Sequence, residues 1–155
     1  MMDFLSSLSQ VLTFIVAAVA AYAAWKQWSG QKEDKELRNA AGLSAWWAHD
    51  ESRREWGVQV ANSSDSPFMN VEINAAANGK PKDSFTVKLI PPGVIFIPSE
   101  PSTTWKQPRR ATEEQLTPIT NSSKHDITKI NFADYRGKLW QWTQEKGTQP
   151  VKASK

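Results

Sequence analysis

The sequence predicts an all-β domain, an antiparallel β-sandwich, preceded by one N-terminal transmembrane helix and a short helical stalk. Three observations lead to this prediction. Residues 4–25 form an uncharged apolar run, residues 26–42 form a charged segment of good helix formers, and apolar and polar residues alternate with period two from 43 to 146. The chain has 155 residues, so its β region is long enough for one domain with a core of its own.

The N-terminal run 4–25 contains no Lys, Arg, Asp or Glu and is rich in Ala, Val, Leu and Ile. At a rise of about 1.5 Å per residue it reaches about 33 Å, which is enough to cross the hydrocarbon core of a bilayer. Residues 1–3 form a short overhang that lacks the basic residues with which a secretory signal begins. We therefore expect a membrane anchor that is not cleaved.

The positive residues around the predicted span indicate its orientation. No Lys or Arg precedes it, whereas Lys26, Lys32, Lys35 and Arg38 follow it. This bias predicts a single-pass protein of the cell membrane, with the N-terminus outside and the β-domain in the cytoplasm. The absence of cysteine fits a reducing compartment, although a disulfide-free domain outside a bacterium would look the same.

Small and polar residues recur along one side of the predicted helix, at intervals of three and four positions. They are Ser6, Gln10, Thr13, Ala17, Ala20 and Ala24. Small side chains let two helix backbones approach closely, and polar ones hydrogen-bond across the contact. The pattern therefore predicts association with a partner protein's helix or with a second copy of the chain. The alternative is an Ala-rich anchor whose polar residues lie among the lipid headgroups.

Two tryptophans flank a lysine at the end of the predicted span. Trp25, Lys26 and Trp28 form the amphipathic belt that is expected at a membrane interface, and we interpret them as interface anchors. Residues 26–42 carry opposite charges four positions apart and no broad apolar stripe, which predicts a solvated helical stalk. The Ser-Gly pair that ends at Gly30 leaves open whether the chain forms one long helix or two with a bend.

Beyond residue 42, short alternating runs are separated by clusters of Pro, Gly, Asn and Ser. The predicted strands are 44–48, 56–61, 71–74, 85–90, 94–97, 127–132 and 139–143. About seven or eight strands in roughly 105 residues is the size and rhythm of an immunoglobulin-like sandwich, and an open barrel is the other all-β architecture. Without cysteines, aromatic and aliphatic burial must hold the core. Residues 147–155 have no periodicity and are predicted to be a flexible tail.

Two patterns in the β region resemble those of a known group of proteins. Residues 56–67 read W-x-V-x-V-x-N-x-S-x-x-P, and residues 132–140 read F-x-D-x-x-G-x-x-W. The chain thus resembles small single-span, membrane-anchored β-domain proteins of actinobacteria and their phages, most of which have no assigned function. Trp142 stands where many of those sequences have Arg. The resemblance implies an architecture and a membrane location, and it supplies no active site.

No catalytic, nucleotide-binding or metal-binding pattern occurs in the sequence. His49 and His125 have neither an i,i+4 histidine partner nor the cysteines of a zinc site. No serine lies in a G-x-S-x-G elbow, and no glycine-rich phosphate-binding pattern is present. We therefore expect a protein that is not an enzyme and uses no metal or cofactor, and we interpret His49 as part of a polar hairpin end.

One proline-flanked segment joins an aromatic residue to three cations. It contains Trp105, Lys106, Arg109 and Arg110, which could stack on a base, grip a phosphate or contact anionic lipid. The alternative, which we favour, is that the tryptophan covers the edge of the sandwich while the cations keep the loop soluble. The net charge of +3 is too modest to favour nucleic acid as a partner.

Together these features predict a membrane-anchored binding or adaptor domain, an accessory subunit of a membrane protein complex. Its partner would be a protein, contacted through the helix and through an edge or a loop of the sandwich. The alternative is a phage- or prophage-encoded membrane effector, such as an exclusion or lysis-control factor. Small size, the predicted orientation and the resemblance to actinophage proteins are compatible with that second function.

Overall fold

The computed structural model describes the backbone of residues 2–152 and the side chains of residues 13–152. The chain divides into two compact units, of which the first ends at Glu36 and the second begins at Leu37. A single α-helix, α1, runs from Met2 to Ala40 and provides the first unit together with the start of the second.

Helix α1 is continuous through the predicted weak point at Gly30. No atom lies within 4 Å of the position that a Cβ would occupy there, so this glycine is not required by a close contact. The helix ends at Ala40, two residues before the predicted end of the stalk. There the N–H of Ala41 donates to the carbonyl of Leu37 (2.8 Å), and the N–H of Gly42 donates to that of Asn39 (3.0 Å). This tightened last turn leads directly into the β region.

The predicted transmembrane helix over residues 4–25 is not found in the described part of the chain. No helix there combines the length and the apolarity that crossing a bilayer requires. The side chains of residues 4–12 lie outside the described part.

Within the described residues, the second unit contains eleven β-strands and one 3-10 helix. In chain order they are β1 (Leu43–Asp50), β2 (Glu55–Asn62), β3 (Phe68–Ala77), β4 (Lys80–Pro81), β5 (Phe85–Ile90), β6 (Gly93–Pro98), β7 (Arg109–Arg110), η1 (Glu113–Gln115), β8 (Leu116–Pro118), β9 (Asp126–Ala133), β10 (Leu139–Thr143) and β11 (Gly147–Pro150).

The strands form two antiparallel sheets. One has the order β7-β6-β2-β1-β8, and the other has the order β11-β10-β9-β3-β4, with β5 also paired to β3. The prediction of an all-β, two-sheet antiparallel domain is therefore confirmed. All seven predicted strands are present, and most are longer by one to three residues at their ends.

The four further strands, β4, β7, β8 and β11, are two to four residues long and too short to show a periodic pattern. Strand β11 changes the prediction for the C-terminus, where a flexible tail was expected from residue 147. Gly147 adopts a φ of +64°, which lets the chain reverse, and Thr148 then pairs with Trp142 of β10. Of the predicted tail, residues 147–150 thus belong to a sheet, and residues 153–155 lie outside the described part.

Aromatic and aliphatic side chains from both sheets fill the core. Phe68 and Phe132 meet edge to face at 5.2 Å, and the indole of Trp140 is 2% exposed. Val58 and Val60 are completely buried on the opposite sheet. Burial of each such side chain stabilises the fold by about 2 kcal/mol, so packing replaces the inter-sheet disulfide that the sequence does not allow.

Gly57 is required by a close approach of β2 and β6. A Cβ at this position would collide with the carbonyl oxygen of Ile97 and lie 2.7 Å from the ring of Phe96. The neighbouring residue Trp56 is held there as well, because its carbonyl accepts a hydrogen bond from the N–H of Ser99 (2.8 Å). The backbone that presents Trp56 to solvent is therefore fixed.

We call the end of the sandwich where β1 begins the proximal end. There Leu43 pairs with Asn62, and the β2–β3 turn contains a network built on the buried Asn62 side chain. Its Nδ2 donates to the carbonyls of Ser66 (2.8 Å) and Ile90 (3.1 Å), and its Oδ1 accepts from the N–H (3.0 Å) and Oγ (2.7 Å) of Ser64. The N-x-S part of the first sequence pattern is thus turn chemistry.

The β9–β10 turn, residues 134–138, lies at the same end and is organised by Asp134, which is 4% exposed. Its Oδ1 accepts from the N–H groups of Arg136 (2.9 Å) and Lys138 (3.0 Å), and its Oδ2 accepts from Nε1 of Trp140 (3.1 Å). Gly137 has a φ of +83°, which favours glycine. The second sequence pattern therefore also describes a turn that satisfies its own polar groups.

Candidate functional site

The opposite, distal end of the sandwich is where Asp50 of β1 pairs with Glu55 of β2. The β1–β2 turn, the β3–β4 turn and the segment 99–106 meet there and border a groove of about 640 Å³. This volume lies in the range of small-ligand and peptide-accepting clefts, which is about 300–1,000 Å³. We call it the distal groove.

The floor of the distal groove is formed by Trp47 and His125, which belong to a cluster of aromatic rings. The indole of Trp47, 3% exposed, lies 5.6 Å from that of Trp105 and 5.2 Å from the imidazole of His125. Phe85 packs against the other side of Trp105 at 4.6 Å. Trp47 Nε1 also donates to the carbonyl of Asp126 (3.2 Å), which fixes the ring on β9. These contacts make the floor rigid.

One wall is the segment 99–106, which Lys82 fastens to the other sheet. Lys82 Nζ donates to the carbonyls of Glu100 (2.9 Å) and Ser102 (2.6 Å), and it lies 4.8 Å from the centre of the Trp105 ring. Burial lowers the pKa of Lys82, and the nearby charges of Asp83 and Glu100 oppose this shift. The Lys82 ammonium thus holds segment 99–106 in place.

Asp83 fastens the same wall through three further hydrogen bonds. Its N–H donates to the carbonyl of Thr103 (3.1 Å), and its carboxylate accepts from the Thr103 hydroxyl (2.8 Å). Its carbonyl accepts from Nε1 of Trp105 (2.7 Å). Because Lys82 and Asp83 hold both backbone and side chains of segment 99–106, the wall is built before any ligand arrives.

Beside the groove, two carboxylates and two cations form an ion-pair network. Arg109 Nη2 lies 2.5 Å from Oδ2 of the buried Asp50, and Arg109 Nη1 lies 2.9 Å from Oε2 of Glu55. Lys106 Nζ donates to the other oxygen of Glu55 at 2.8 Å. The hydrogen bond from Lys106 is the main reason that the pKa of Glu55 is lowered. The network ties the start of β2 to β7.

Asp50 is the anchor of this network. Burial raises its pKa, but hydrogen bonds from the Ser52 and Arg109 side chains and from the N–H groups of Arg53 and Ser52 together outweigh burial. The pKa of Asp50 is therefore lowered from 3.8 to about 2. Its carboxylate stays ionised at neutral pH and also caps the β1–β2 turn through the N–H groups of Ser52 (2.9 Å) and Arg53 (3.2 Å).

Three lining residues of the distal groove remain available to a ligand. Trp56 is 53% exposed, with the imidazole of His49 at 4.4 Å from its ring. Arg54 in the β1–β2 turn and Lys80 at the start of β4 are exposed, and neither forms an ion pair with any described residue. An aromatic surface with two unpaired cations can bind an anionic or aromatic group.

The sequence-predicted surface loop is brought to this end of the molecule, but most of its groups are already engaged. The ring of Trp105 packs against Trp47 and Phe85, and Lys106 and Arg109 are paired with carboxylates. Arg110 lies exposed in β7. The exposed cations that line the distal groove and form no ion pair with a described residue are Arg54 and Lys80.

The residues predicted for helix association all fall within α1. Of this set, Ser6 and Gln10 lie outside the residues whose side chains are described. The others are exposed along α1: Thr13, Ala17, Ala20 and Ala24. The predicted interface anchors Trp25, Lys26 and Trp28 are exposed as well. These predictions stay predictions.

Sequence reasoning missed Arg54 and Lys80 because each is a single cation in or beside a turn, without a pattern of its own. The available signal was indirect. His49-Asp50 and residues 78–81 were both recognisable as places where the chain reverses, and the strand pairing would have shown that they lie at the same end of the sandwich. Without knowing which strands pair, that inference could not be made.

Comparison with known proteins adds no further assignment. No family model, no curated protein and no solved structure matches the chain. Among the described residues, no group of three or more His, Asp or Glu side chains could hold a metal ion. The distal groove is therefore the candidate site on the basis of its geometry and charge.

Proposed function

We propose that this protein is a non-catalytic binding module, an accessory subunit of a membrane protein complex, whose sandwich binds a segment of a partner protein in the distal groove. One observation carries the proposal. A half-exposed tryptophan, Trp56, and two unpaired cations, Arg54 and Lys80, border a preformed groove of about 640 Å³. Tryptophan and arginine are the residues that most often dominate the energetics of protein interfaces.

The rigidity of the groove supports this function. Association costs free energy for every side chain and loop that must be ordered. Here Lys82 and Asp83 already hold the wall, and Trp47 already forms the floor. The conformational entropy lost on binding would therefore come mainly from the bound segment and not from the groove.

The strand order supports an immunoglobulin-like architecture, which is the finer form of our fold proposal. In one sheet β1, β2 and β6 are neighbours, as strands A, B and E are in that fold. In the other, the order β5-β3-β9-β10 corresponds to C′-C-F-G. Such sandwiches present their binding loops at the two ends, and the distal groove lies at one of them.

We further propose a single-pass membrane location with the sandwich in the cytoplasm. The support comes from the sequence, in which residues 4–25 carry no charge and the positive residues follow that run. Alkaline carbonate extraction of cells tests this location. We expect the full-length chain in the membrane pellet, and its release into the supernatant would overturn the location. Partner binding by the groove does not depend on that result.

Site-specific photo-crosslinking in intact cells tests the binding function. A photoreactive phenylalanine analogue at Pro101, which lines the groove, is expected to capture one discrete protein. The same residue at Thr86, exposed on β5, is the matched control and should capture none. Equal capture at the two positions, or none at Pro101, would contradict the proposed function.

A further inference from the structure

We infer that the distal groove takes an acidic peptide segment that carries an aromatic side chain. This inference rests on the proposed function and names the chemistry of the partner at the same site. It follows from the charge balance of the lining residues, from the exposed ring of Trp56 and from the shape of the site.

The lining residues carry a surplus of positive charge. The cations are Arg54, Lys80, Lys82 and Lys106, and the acids are Glu55 and Glu100. Neither acid forms an ion pair with Arg54 or Lys80. Glu55 is paired with Lys106 and Arg109, while the Glu100 carboxylate accepts the Thr104 hydroxyl (2.6 Å). Two positive charges thus face the groove without a partner, and a ligand with carboxylates would complement them.

Trp56 supplies the second recognition element. Its ring is 53% exposed, lines the groove and is braced by His49 at 4.4 Å. Its backbone is fixed by Ser99 and by the tight approach at Gly57. A rigid, half-exposed indole gains from an aromatic partner by offset or edge-to-face contact, in addition to the burial of its surface.

The same features argue against two other anionic partners. A nucleic acid site neutralises several phosphates along a track, whereas the groove offers two unpaired cations. A lipid bilayer presents a flat anionic surface, whereas Trp56, Arg54 and Lys80 border a concave site. A short acidic segment of a protein fits both the charge and the shape.

Peptide binding by the full-length chain in a mild detergent tests this inference. The probe is a dye-labelled decapeptide of alternating Asp and Tyr, and fluorescence polarisation measures its dissociation constant. We expect binding of this probe, at least about tenfold weaker binding when Ser replaces Tyr, and no binding when Lys replaces Asp. Equal binding of the three peptides would overturn the inference.

Charge-reversal variants locate the binding. Arg54→Glu together with Lys80→Glu should weaken binding of the Asp–Tyr peptide by at least about tenfold. The matched control reverses two exposed cations away from the groove, Lys88→Glu and Lys152→Glu, and should leave the affinity unchanged. Trp56→Ala should remove the preference for Tyr over Ser. Equal loss in both double variants would overturn the inference.

Two competitors decide between the anionic partners. Displacement of the peptide by phosphatidylserine vesicles or by single-stranded DNA, at the same charge concentration, would assign the groove to lipid or to nucleic acid and overturn the inference. Failure here is distinguishable from failure of the proposed function. Capture at Pro101 without binding of the Asp–Tyr peptide rejects only the acidic, aromatic chemistry, whereas absence of capture rejects partner binding itself.

Discussion

The two ends of the sandwich use their polar residues in opposite ways. At the proximal end, the side chains of Asn62 and Asp134 are buried and form hydrogen bonds with the turns around them. At the distal end, a comparable network built on Asp50 lies beside Arg54 and Lys80, which pair with no described residue.

This difference separates the polar side chains that stabilise the fold from those that remain exposed and can contact a partner. Both sequence patterns that resemble other proteins lie largely in the proximal turns and in the strands beside them, where Asn62 and Asp134 hold the turns together. Trp56 begins one of those patterns, yet its side chain is the one that faces the distal groove. Substitutions at the two ends should therefore separate stability from binding.

The largest contrast is expected between two tryptophans. Trp140→Ala empties a core site that is 2% exposed and should lower the free energy of unfolding by about 3–5 kcal/mol. Trp56→Ala removes a half-exposed ring and should cost less than about 1 kcal/mol. Urea denaturation of both full-length variants measures the difference. A similar loss in the two would mean that Trp56 is a core residue and not a ligand contact.

The proximal turn tests the next largest effect. Asp134→Ala leaves two backbone N–H groups and the Trp140 indole N–H without their acceptor, so we expect a loss of about 3 kcal/mol of stability. Asp65→Ala changes an exposed acidic residue of the other proximal turn and is the matched control, with an expected change within about 0.5 kcal/mol. Equal effects would show that burial of Asp134 does not matter.

The distal network should make stability depend on pH in acid. Because the pKa of Asp50 is about 2 in the folded protein and 3.8 ordinarily, its ionised form favours folding. This contribution is complete above about pH 4 and is lost as the pH falls through 2, which removes roughly 2 kcal/mol. Unfolding free energies of the wild type and of Asp50→Asn between pH 5 and pH 2 measure it. If the unfolding free energy of Asp50→Asn fell as steeply with decreasing pH as that of the wild type, the effect would belong to other carboxylates.

The smallest effect on stability is expected from substitutions of the two cations that we propose contact the ligand. Replacing Arg54 and Lys80 together by Ala should change the free energy of unfolding by no more than about 0.5 kcal/mol, because neither cation has an ion-pair partner within the described residues. Thermal and urea unfolding check this. A loss above about 1 kcal/mol would show that the two cations stabilise the distal turns.

Sequence alone predicted the β-strands well because their signal is local. Alternation of Val58 and Val60 with small or polar neighbours marks a strand wherever it pairs, and seven strand segments were recognised. The short strands were missed because two residues, as in β4 and β7, have no period. Strand β11 depends on a reversal at Gly147, which composition does not distinguish from a frayed tail.

The distal groove was beyond local reasoning because its parts come from distant segments. The cluster at Trp105 combines Trp47, Phe85 and His125, which only the sheet pairing brings together. For the same reason, the cations of the segment around Lys106 looked free in the sequence, whereas the fold places carboxylates beside them.

Hydroxyl-radical footprinting tests most directly whether the distal groove is occupied in cells. Trp56 and Tyr135 are exposed to nearly the same extent, 53% and 50%, but lie at opposite ends of the sandwich. The ratio of Trp56 to Tyr135 oxidation should fall several-fold between the purified full-length chain and intact cells. An unchanged ratio, or protection of Tyr135 instead of Trp56, would contradict a partner-binding role of the groove.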